Sequence, residues 1–248
     1  MDLLPASISL LDASVLIVTA GFTSLLTAAM GIGGGVLLLA VMAGIVPAAA
    51  LIPVHGLVQL GSNGNRAWMT RRHIDLGLLK RFALGALVGA LLASLIVVQL
   101  PLQWIQFSVA AFILFLVWGP QPGRHSLGAA GQLLAGALTT LVSMFVGATG
   151  PLVAGFIHRQ DMDKLATTAT FASCMSAQHL LKMAVFSAVG FAFWDWLPLV
   201  ALMILAGVAG SWLGLKLLDR MPAAHFKRVF RWTVTLLALR LVWQASGF

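Results

Sequence analysis

The sequence has few charged residues and very few acidic ones. Of its 248 residues only 9% are charged and 60% are hydrophobic, and seven Asp or Glu stand against 15 Lys or Arg. Soluble domains carry about 25% charged residues, so this composition excludes a soluble globular domain and indicates a protein embedded in a lipid bilayer. The basic residues form short clusters between apolar runs, which is typical of membrane loops and not of a nucleic-acid surface.

Groups that support catalysis or hold a metal are also scarce. The single cysteine, Cys174, excludes an intramolecular disulfide and cannot form a zinc site by itself. No apolar run contains a pair of carboxylates, and the sequence has no HExxH motif and no cluster of Cys and His. We therefore expect no enzyme, no metal site, no cofactor and no nucleic-acid partner. The lack of acids within the runs also argues against a cation pump.

Eight apolar runs cover most of the chain. Within a few residues, they span 13–46, 48–69, 78–100, 102–119, 127–157, 165–190, 194–218 and 226–245. A single crossing needs about 20 residues, so the first and fifth runs are too long for one straight helix. Glycines interrupt the first, in the stretch GIGGG, and glycines with a proline interrupt the fifth, in the stretch GATGP. We predict that both runs are broken or re-entrant, which membrane depth tolerates only where the backbone is buried in protein or lines a cavity.

The two breaks occupy equivalent places in an internal repeat. A shift of about 116 residues aligns Gly34 with Gly150, His55 with Phe171, Ser62 with Gln178, Asn63 with His179 and Arg66 with Lys182. We therefore divide the chain into a first repeat at 1–122 and a second at 123–248. Basic loops are expected on the cytoplasmic side of a membrane. The main basic clusters fall on one side only if each broken run crosses the membrane twice or makes no net crossing. The positive-inside rule therefore predicts inverted repeats.

The predicted fold is thus an all-α polytopic membrane protein. It consists of two inverted four-segment repeats, and the first segment of each repeat is broken or re-entrant. Close packing between helices is indicated at 85–89 and 210–214, where two glycines lie four residues apart.

Lys182 is the residue that most needs an explanation. It lies in the run 165–190, which holds no other charge, and a charge near the bilayer centre costs about 2.5–3.5 kcal/mol on the mildest scale. Gln178 and His179 lie about one helical turn before it and share its side of the helix. A buried cation with polar neighbours predicts an anion site. His179 could also carry a proton and couple proton movement to anion movement.

The second run carries a polar stripe with the spacing of one helix face. Its members are His55, Gln59, Ser62, Asn63 and Arg66. We expect His55, Gln59 and Asn63 to line a pathway, and the alternative is hydrogen bonding between helices. Arg66 lies near the end of its run, so we expect its side chain to snorkel toward the membrane surface.

The backbone at the two breaks completes the predicted anion site. A helix that begins at membrane depth points free N–H groups and the positive end of its dipole at whatever lies there, which suits an anion. The break residues added to the site on this ground are Gly33, Gly34, Gly35, Thr149 and Gly150.

Four stretches of the chain together resemble the sulfite exporter family TauE/SafE. They are AAMGIGGGVLLL, GATGPLV, TRRHIDLGLLKRFALGALVG and QHLLKMAVFSAVGF. The resemblance implies a multi-pass transporter in the bacterial inner membrane for sulfite, sulfoacetate or a related small sulfur-containing anion. The chain lacks the tandem cysteines of thiosulfate-uptake relatives, so thiosulfate is not expected.

The sequence therefore predicts a secondary transporter that exports such an anion. Alternating access would come from rocking one repeat against the other around a site near the membrane midplane. Two alternatives remain open, an anion channel with the same residues as its filter and a scaffold in which Lys182 is a buried structural cation. No oligomeric state is predicted.

Overall fold

The part of the chain that the structure describes folds into nine α-helices and two short 3₁₀-helices, Arg71–His73 and Trp194–Trp196. The structure is a computed structural model that describes residues 4–30, 33–95, 102–119 and 126–217, with short pieces at 232, 235–239 and 242–243. The helices are α1 Leu10–Met30, α2 Gly34–Met42, α3 Ala48–Met69, α4 Leu76–Ser94, α5 Leu102–Trp118, α6 Ala129–Val146, α7 Gly150–Ile157, α8 Lys164–Ala188 and α9 Leu197–Lys216. These residues contain no strand, as an all-α prediction requires. The last predicted run, 226–245, lies mostly outside the described residues.

Both over-long runs are interrupted, as predicted. The first of the eight runs forms α1 and α2, and the fifth forms α6 and α7. Gly33 and Gly147 have φ angles of 102° and 83°, a region that glycine enters without the steric penalty that other residues meet. The breaks therefore form where the sequence supplies residues that tolerate a sharp change of backbone direction.

Four helical segments are long and apolar enough to cross a membrane. They are Leu10–Met30, Leu76–Ser94, Ala129–Val146 and Trp194–Lys216. In contrast, α2 has 9 residues and α7 has 8. At about 1.5 Å per residue neither could span a hydrocarbon core of about 30 Å. The chain is a multi-pass membrane protein in which two short helices begin inside the fold.

The strongest helix pairs join the two halves of the chain. The helix α1 packs along α9, α4 packs along α6, and α3 crosses α8. Two of these contacts depend on glycine: a Cβ at Gly85 or Gly89 would collide with carbonyl groups of α6, and one at Gly210 or Gly214 would collide with carbonyl groups of α1. The close packing predicted from the glycine spacing is confirmed. The halves interlock and do not form separate lobes.

Candidate functional site

A small cavity lies where α3 and α8 meet the two breaks. Its lining consists of Thr27, Gly33, Gly35, Val36, His55, Gln59, Asn63, Ala148, Gly150, Pro151, Phe171, Met175 and His179. The space open to the centre of a water molecule is about 20 Å³, which is enough for about one ordered water. A polyatomic anion would need these walls to move apart.

Seven of the eleven predicted site residues line this cavity. They are Gly33, Gly35, His55, Gln59, Asn63, Gly150 and His179. The other four, Gly34, Thr149, Gln178 and Lys182, are not part of the lining. Gly34 instead faces α1, because a Cβ there would collide with the Thr23 carbonyl and the Thr27 hydroxyl. The structure therefore separates residues that touch the cavity from residues that support it.

The cavity takes equivalent positions from the two halves. Its α3 wall is formed by residues 55, 59 and 63, and its α8 wall by residues 171, 175 and 179, which are related by the same shift of about 116 residues. Sequence reasoning missed Phe171 and Met175, since apolar residues in an apolar run give no signal of their own. The aligned pair His55 and Phe171 was the signal that could have found this second wall.

The polar residues of α3 form a hydrogen-bonded chain. The Asn63 amide donates to the Gln59 side-chain oxygen at 3.0 Å and to the Gln59 carbonyl at 2.9 Å. The Asn63 oxygen in turn accepts from Arg66 Nη1 at 3.1 Å. This chain fixes the orientation of the Asn63 amide and connects the cavity wall to a guanidinium group.

Two buried imidazoles stand near each other at the cavity. The rings of His55 and His179 are edge to face with centroids 6.2 Å apart, and both are 1% exposed. His55 Nε2 lies 2.9 Å from the Gly35 carbonyl oxygen. A carbonyl oxygen can only accept a hydrogen bond, so Nε2 carries the proton. In a neutral ring Nδ1 is then a hydrogen-bond acceptor. Neither Nδ1 atom has a partner among the described protein groups. Such buried nitrogens are uncommon and point to a water or ligand as their partner.

Lys182 is fully buried and holds the second break. Its side chain is 0% exposed, and Nζ donates to the Gly147 carbonyl at 2.7 Å. Gly147 is the C-cap of α6, where the carbonyl end of the helix dipole favours a positive charge. Within the described part of the chain this ammonium forms no ion pair. Its contact is therefore with the backbone next to the cavity residue Ala148.

Arg66 is buried as well, so the expectation that it snorkels to the membrane surface is wrong. Its side chain is 1% exposed, and Nη1 and Nη2 donate to Asn63 and to Ser211 of α9, the latter at 3.4 Å. The packing of α9 on α3 covers the guanidinium and supplies a hydroxyl where snorkelling would need water. Arg66 Nε has no partner among the described groups.

Gln178 supports the second break from behind the cavity. Its oxygen accepts from the Thr149 hydroxyl at 3.1 Å, and its amide donates to the Thr140 hydroxyl at 3.3 Å. It therefore joins α6 to the start of α7. In the first half the aligned residue Ser62 bonds Ser24 at 2.8 Å and joins α3 to α1. Gln178 and Ser62 thus both form hydrogen bonds between helices.

In a comparison with known proteins, one protein-family model matches most of the chain. A family model described as "Sulfite exporter TauE/SafE" matches residues 16–241. No curated protein and no solved structure matches the chain.

Proposed function

Because the chain belongs to the sulfite exporter TauE/SafE family, whose members are membrane transporters of sulfite-type anions, we propose that it exports sulfite or a small organosulfonate such as sulfoacetate. The proposed location is the bacterial inner membrane. The observation that carries the proposal is the cavity between the two breaks, which is flanked by two buried cations. The anion would bind there, near the midplane.

Electrostatics favours an anion at this place. Arg66 and Lys182 are both buried, and neither has an ion-pair partner within the described residues. Unpaired buried charges are costly, so a bound anion that offsets them binds more strongly than it would in water. Arg66 acts through the Asn63 amide, and Lys182 acts through the backbone at Gly147.

The helix starts supply further donors. The N-caps of α2 and α7, Gly33 and Thr149, provide no side-chain cap for the first N–H groups of these helices. Those N–H groups and the positive ends of both helix dipoles lie beside the cavity, where they can bind oxyanion oxygens. Pro151 removes one donor from α7, so the first break offers more backbone N–H groups than the second.

The proposed site has an inner and an outer layer. The inner layer, in contact with the anion, consists of His55, Gln59, Asn63, His179 and the backbone at Gly33, Gly35 and Gly150. The outer layer consists of Gly34, Thr149, Gln178 and Lys182. In the described conformation the cavity is too small for the anion, so binding requires its walls to separate.

The proposed mechanism is alternating access between two inverted repeats. Its support is the reciprocal packing of the helices: α1 of the first half pairs with α9, and the corresponding α6 of the second half pairs with α4. The crossing of α3 and α8, which carries both cavity walls, lies between these pairs. A rocking motion about this crossing would open the cavity to one side and then to the other.

We further propose that a proton moves with the anion. The two imidazoles at the cavity are the groups suited to carry it, because a proton added to either ring creates a donor and a positive charge next to the anion. His179 is our first candidate, because its Nδ1 has no partner among the described groups and its ring, unlike that of His55, is not bonded to the Gly35 carbonyl.

Flux through proteoliposomes tests the transport proposal. We expect saturable uptake of sulfite or sulfoacetate, with counterflow when the other side is preloaded. A channel would give flux without counterflow, and a scaffold would give neither. Asn63→Ala should reduce flux, and Asn65→Ala serves as its matched control because Asn65, on the same helix, bonds only Met69 among the described groups. Absence of flux for every sulfur-containing anion would overturn the proposal.

A further inference from the structure

The Lys182 ammonium occupies a place that suits a free cation. The helix α6 ends at Val146, and the Gly147 carbonyl that follows it accepts the Nζ hydrogen bond at 2.7 Å. Carbonyls at the C-terminal ends of broken helices carry partial negative charge, and in many secondary transporters such groups coordinate the coupling cation. We propose that Lys182 is a built-in cation, so that the second break needs no sodium ion.

The path of the lysine side chain supports this assignment. Lys182 starts on α8 and crosses Gly56 of α3, where a Cβ would lie 2.8 Å from Lys182 Cδ. The absence of a side chain at Gly56 leaves room for the aliphatic part of the lysine. The ammonium therefore reaches the backbone break through the crossing of the two central helices and remains 0% exposed.

The lysine does not line the cavity, and this separates it from the residues proposed to contact the anion. Its described partner is a carbonyl, a group that a metal cation or an ammonium binds and that an anion avoids. The charge therefore has two effects: it neutralises the end of α6, and it adds positive potential beside the cavity. A free sodium ion would supply both effects, but it would have to bind anew in each transport cycle.

The aligned residue of the first half is engaged differently. Arg66 donates to the side chains of Asn63 and Ser211, whereas Lys182 donates to a main-chain carbonyl. Within the described residues, the built-in cation therefore belongs to the second break. An ammonium suits this place because it is a compact point charge, whereas a guanidinium is a planar fork that needs more room.

Chemical rescue of Lys182→Ala in the full-length protein tests the inference. The substitution removes three methylenes and the ammonium, which together correspond to n-propylammonium. We expect n-propylammonium to raise the melting temperature of purified Lys182→Ala in a saturable way. Wild type and Lys182→Met should not respond, because the lysine or the methionine side chain fills the space. Tetramethylammonium, which has charge but no N–H donor, should not stabilise Lys182→Ala.

Transport gives the second readout and depends on the proposed function. Wild-type flux should be the same in sodium and in sodium-free choline buffer. Lys182→Ala should lose about tenfold to hundredfold in flux, as expected for a lost hydrogen bond from a charged group, and n-propylammonium should restore part of it. Lys182→Met should be equally impaired and should not recover.

The outcomes that overturn the inference differ from those that overturn the proposed function. Sodium-dependent flux in wild type, or equal responses of Lys182→Ala and Lys182→Met to n-propylammonium, would show that the ammonium is not a built-in cation. If Lys182→Ala does not fold without added cation, its yield during purification with n-propylammonium replaces the melting curve, and no gain in yield rejects the inference. Absence of wild-type flux in both buffers would reject the transport proposal alone.

Discussion

The two breaks occupy aligned positions, yet different groups hold their backbones. At the first break a ring nitrogen of His55 bonds the Gly35 carbonyl, within the first turn of α2. At the second break the Lys182 ammonium bonds the Gly147 carbonyl, at the end of α6. The first break is thus secured on the helix that begins there, and the second on the helix that ends there.

The two cavity walls differ in the same way. The α3 wall presents His55, Gln59 and Asn63, whereas the aligned positions on α8 carry Phe171, Met175 and His179. The aligned positions therefore share their place at the cavity but not their chemistry. We infer that α3 supplies most of the polar contacts to an anion, while α8 supplies an apolar surface, the imidazole of His179 and, through Lys182, a positive charge. Substitutions at aligned positions should consequently have unequal effects.

The largest difference in the effect of a substitution is expected for the stability of variants at the two glycines that begin the short helices. A Cβ at Gly34 would collide with the Thr23 carbonyl of α1, whereas a Cβ at Gly150 would lie 3.7 Å from Phe171 Cζ, in ordinary contact. Gly34→Ala should therefore destabilise the protein by about 1–3 kcal/mol or more, and Gly150→Ala should fold with a melting temperature near that of wild type. Thermal unfolding in detergent measures both. Equal melting temperatures would mean that the two breaks pack alike.

Leucine at the same positions separates packing from transport. Gly150→Leu should insert and fold but lose flux, because its side chain would project toward Phe171 and the cavity. Gly34→Leu should fail already at folding. Only the second break therefore allows a leucine variant whose transport can be measured on a folded protein.

The next largest effect is expected on anion binding, and it differs between the two walls of the cavity. Gln59 and Met175 are aligned, but only Gln59 offers a polar group, and its oxygen also orients Asn63. Gln59→Leu should weaken anion binding by about tenfold, which corresponds to about 1.4 kcal/mol, and Met175→Leu should change it little. A titration of anion-induced thermal stabilisation gives both affinities. Similar losses for the two variants would contradict the division of roles between α3 and α8.

An effect of comparable size, on stability and not on anion binding, is expected from backbone strain at the second break. Gly147 has φ of 83° and a Cβ there would lie 3.0 Å from Leu39, whereas Gly190 has φ of 88° with nothing within 4 Å. Gly190→Ala therefore reports the cost of the left-handed backbone alone, about 1–2 kcal/mol. Gly147→Ala should lower the stability by more than this, because its side chain must also displace Leu39. If Gly190→Ala is the more destabilising of the two, the crowding argument is wrong.

Local features were the ones that could be predicted from the sequence. The interruptions follow from the length of the two runs and from the glycines and proline inside them, which act on the adjacent backbone. The polar lining of α3 follows from the spacing of His55, Gln59 and Asn63 on one helix face. Both signals depend on residues close together in the chain, so they needed no knowledge of how the helices pack.

Contacts between distant residues could not be predicted in the same way. Arg66 is covered by α9 and donates to Ser211, and no pattern near Arg66 indicates that partner. Lys182 was correctly placed in a buried setting, but its partner is a main-chain carbonyl, which every residue possesses and which a sequence therefore cannot single out. The apolar wall at Phe171 and Met175 was missed, because only the alignment of position 171 with His55 pointed to it.

The smallest expected effect concerns the hydrogen bonds that support the two breaks, and double-mutant cycles measure it. Thr149 and Gln178 share one bond at the second break, and Ser24 and Ser62 share one in the first half. Such interhelical bonds contribute about 0.6 kcal/mol on average. Thr149→Val and Gln178→Leu should therefore be less damaging together than the sum of their separate effects, by about that amount.

The Ser24→Ala and Ser62→Ala cycle should give a coupling of similar size, because it also removes one bond between neutral groups. The two cycles should differ in the total effect on stability. Gln178 also donates to Thr140, so Gln178→Leu leaves the Thr140 and Thr149 hydroxyls without this partner, whereas Ser62→Ala affects the Ser24 hydroxyl alone. Gln178→Leu should thus lower the melting temperature more than Ser62→Ala. The reverse order would mean that Gln178 does not support the second break, and the difference between the breaks would then rest on the His55 and Lys182 bonds.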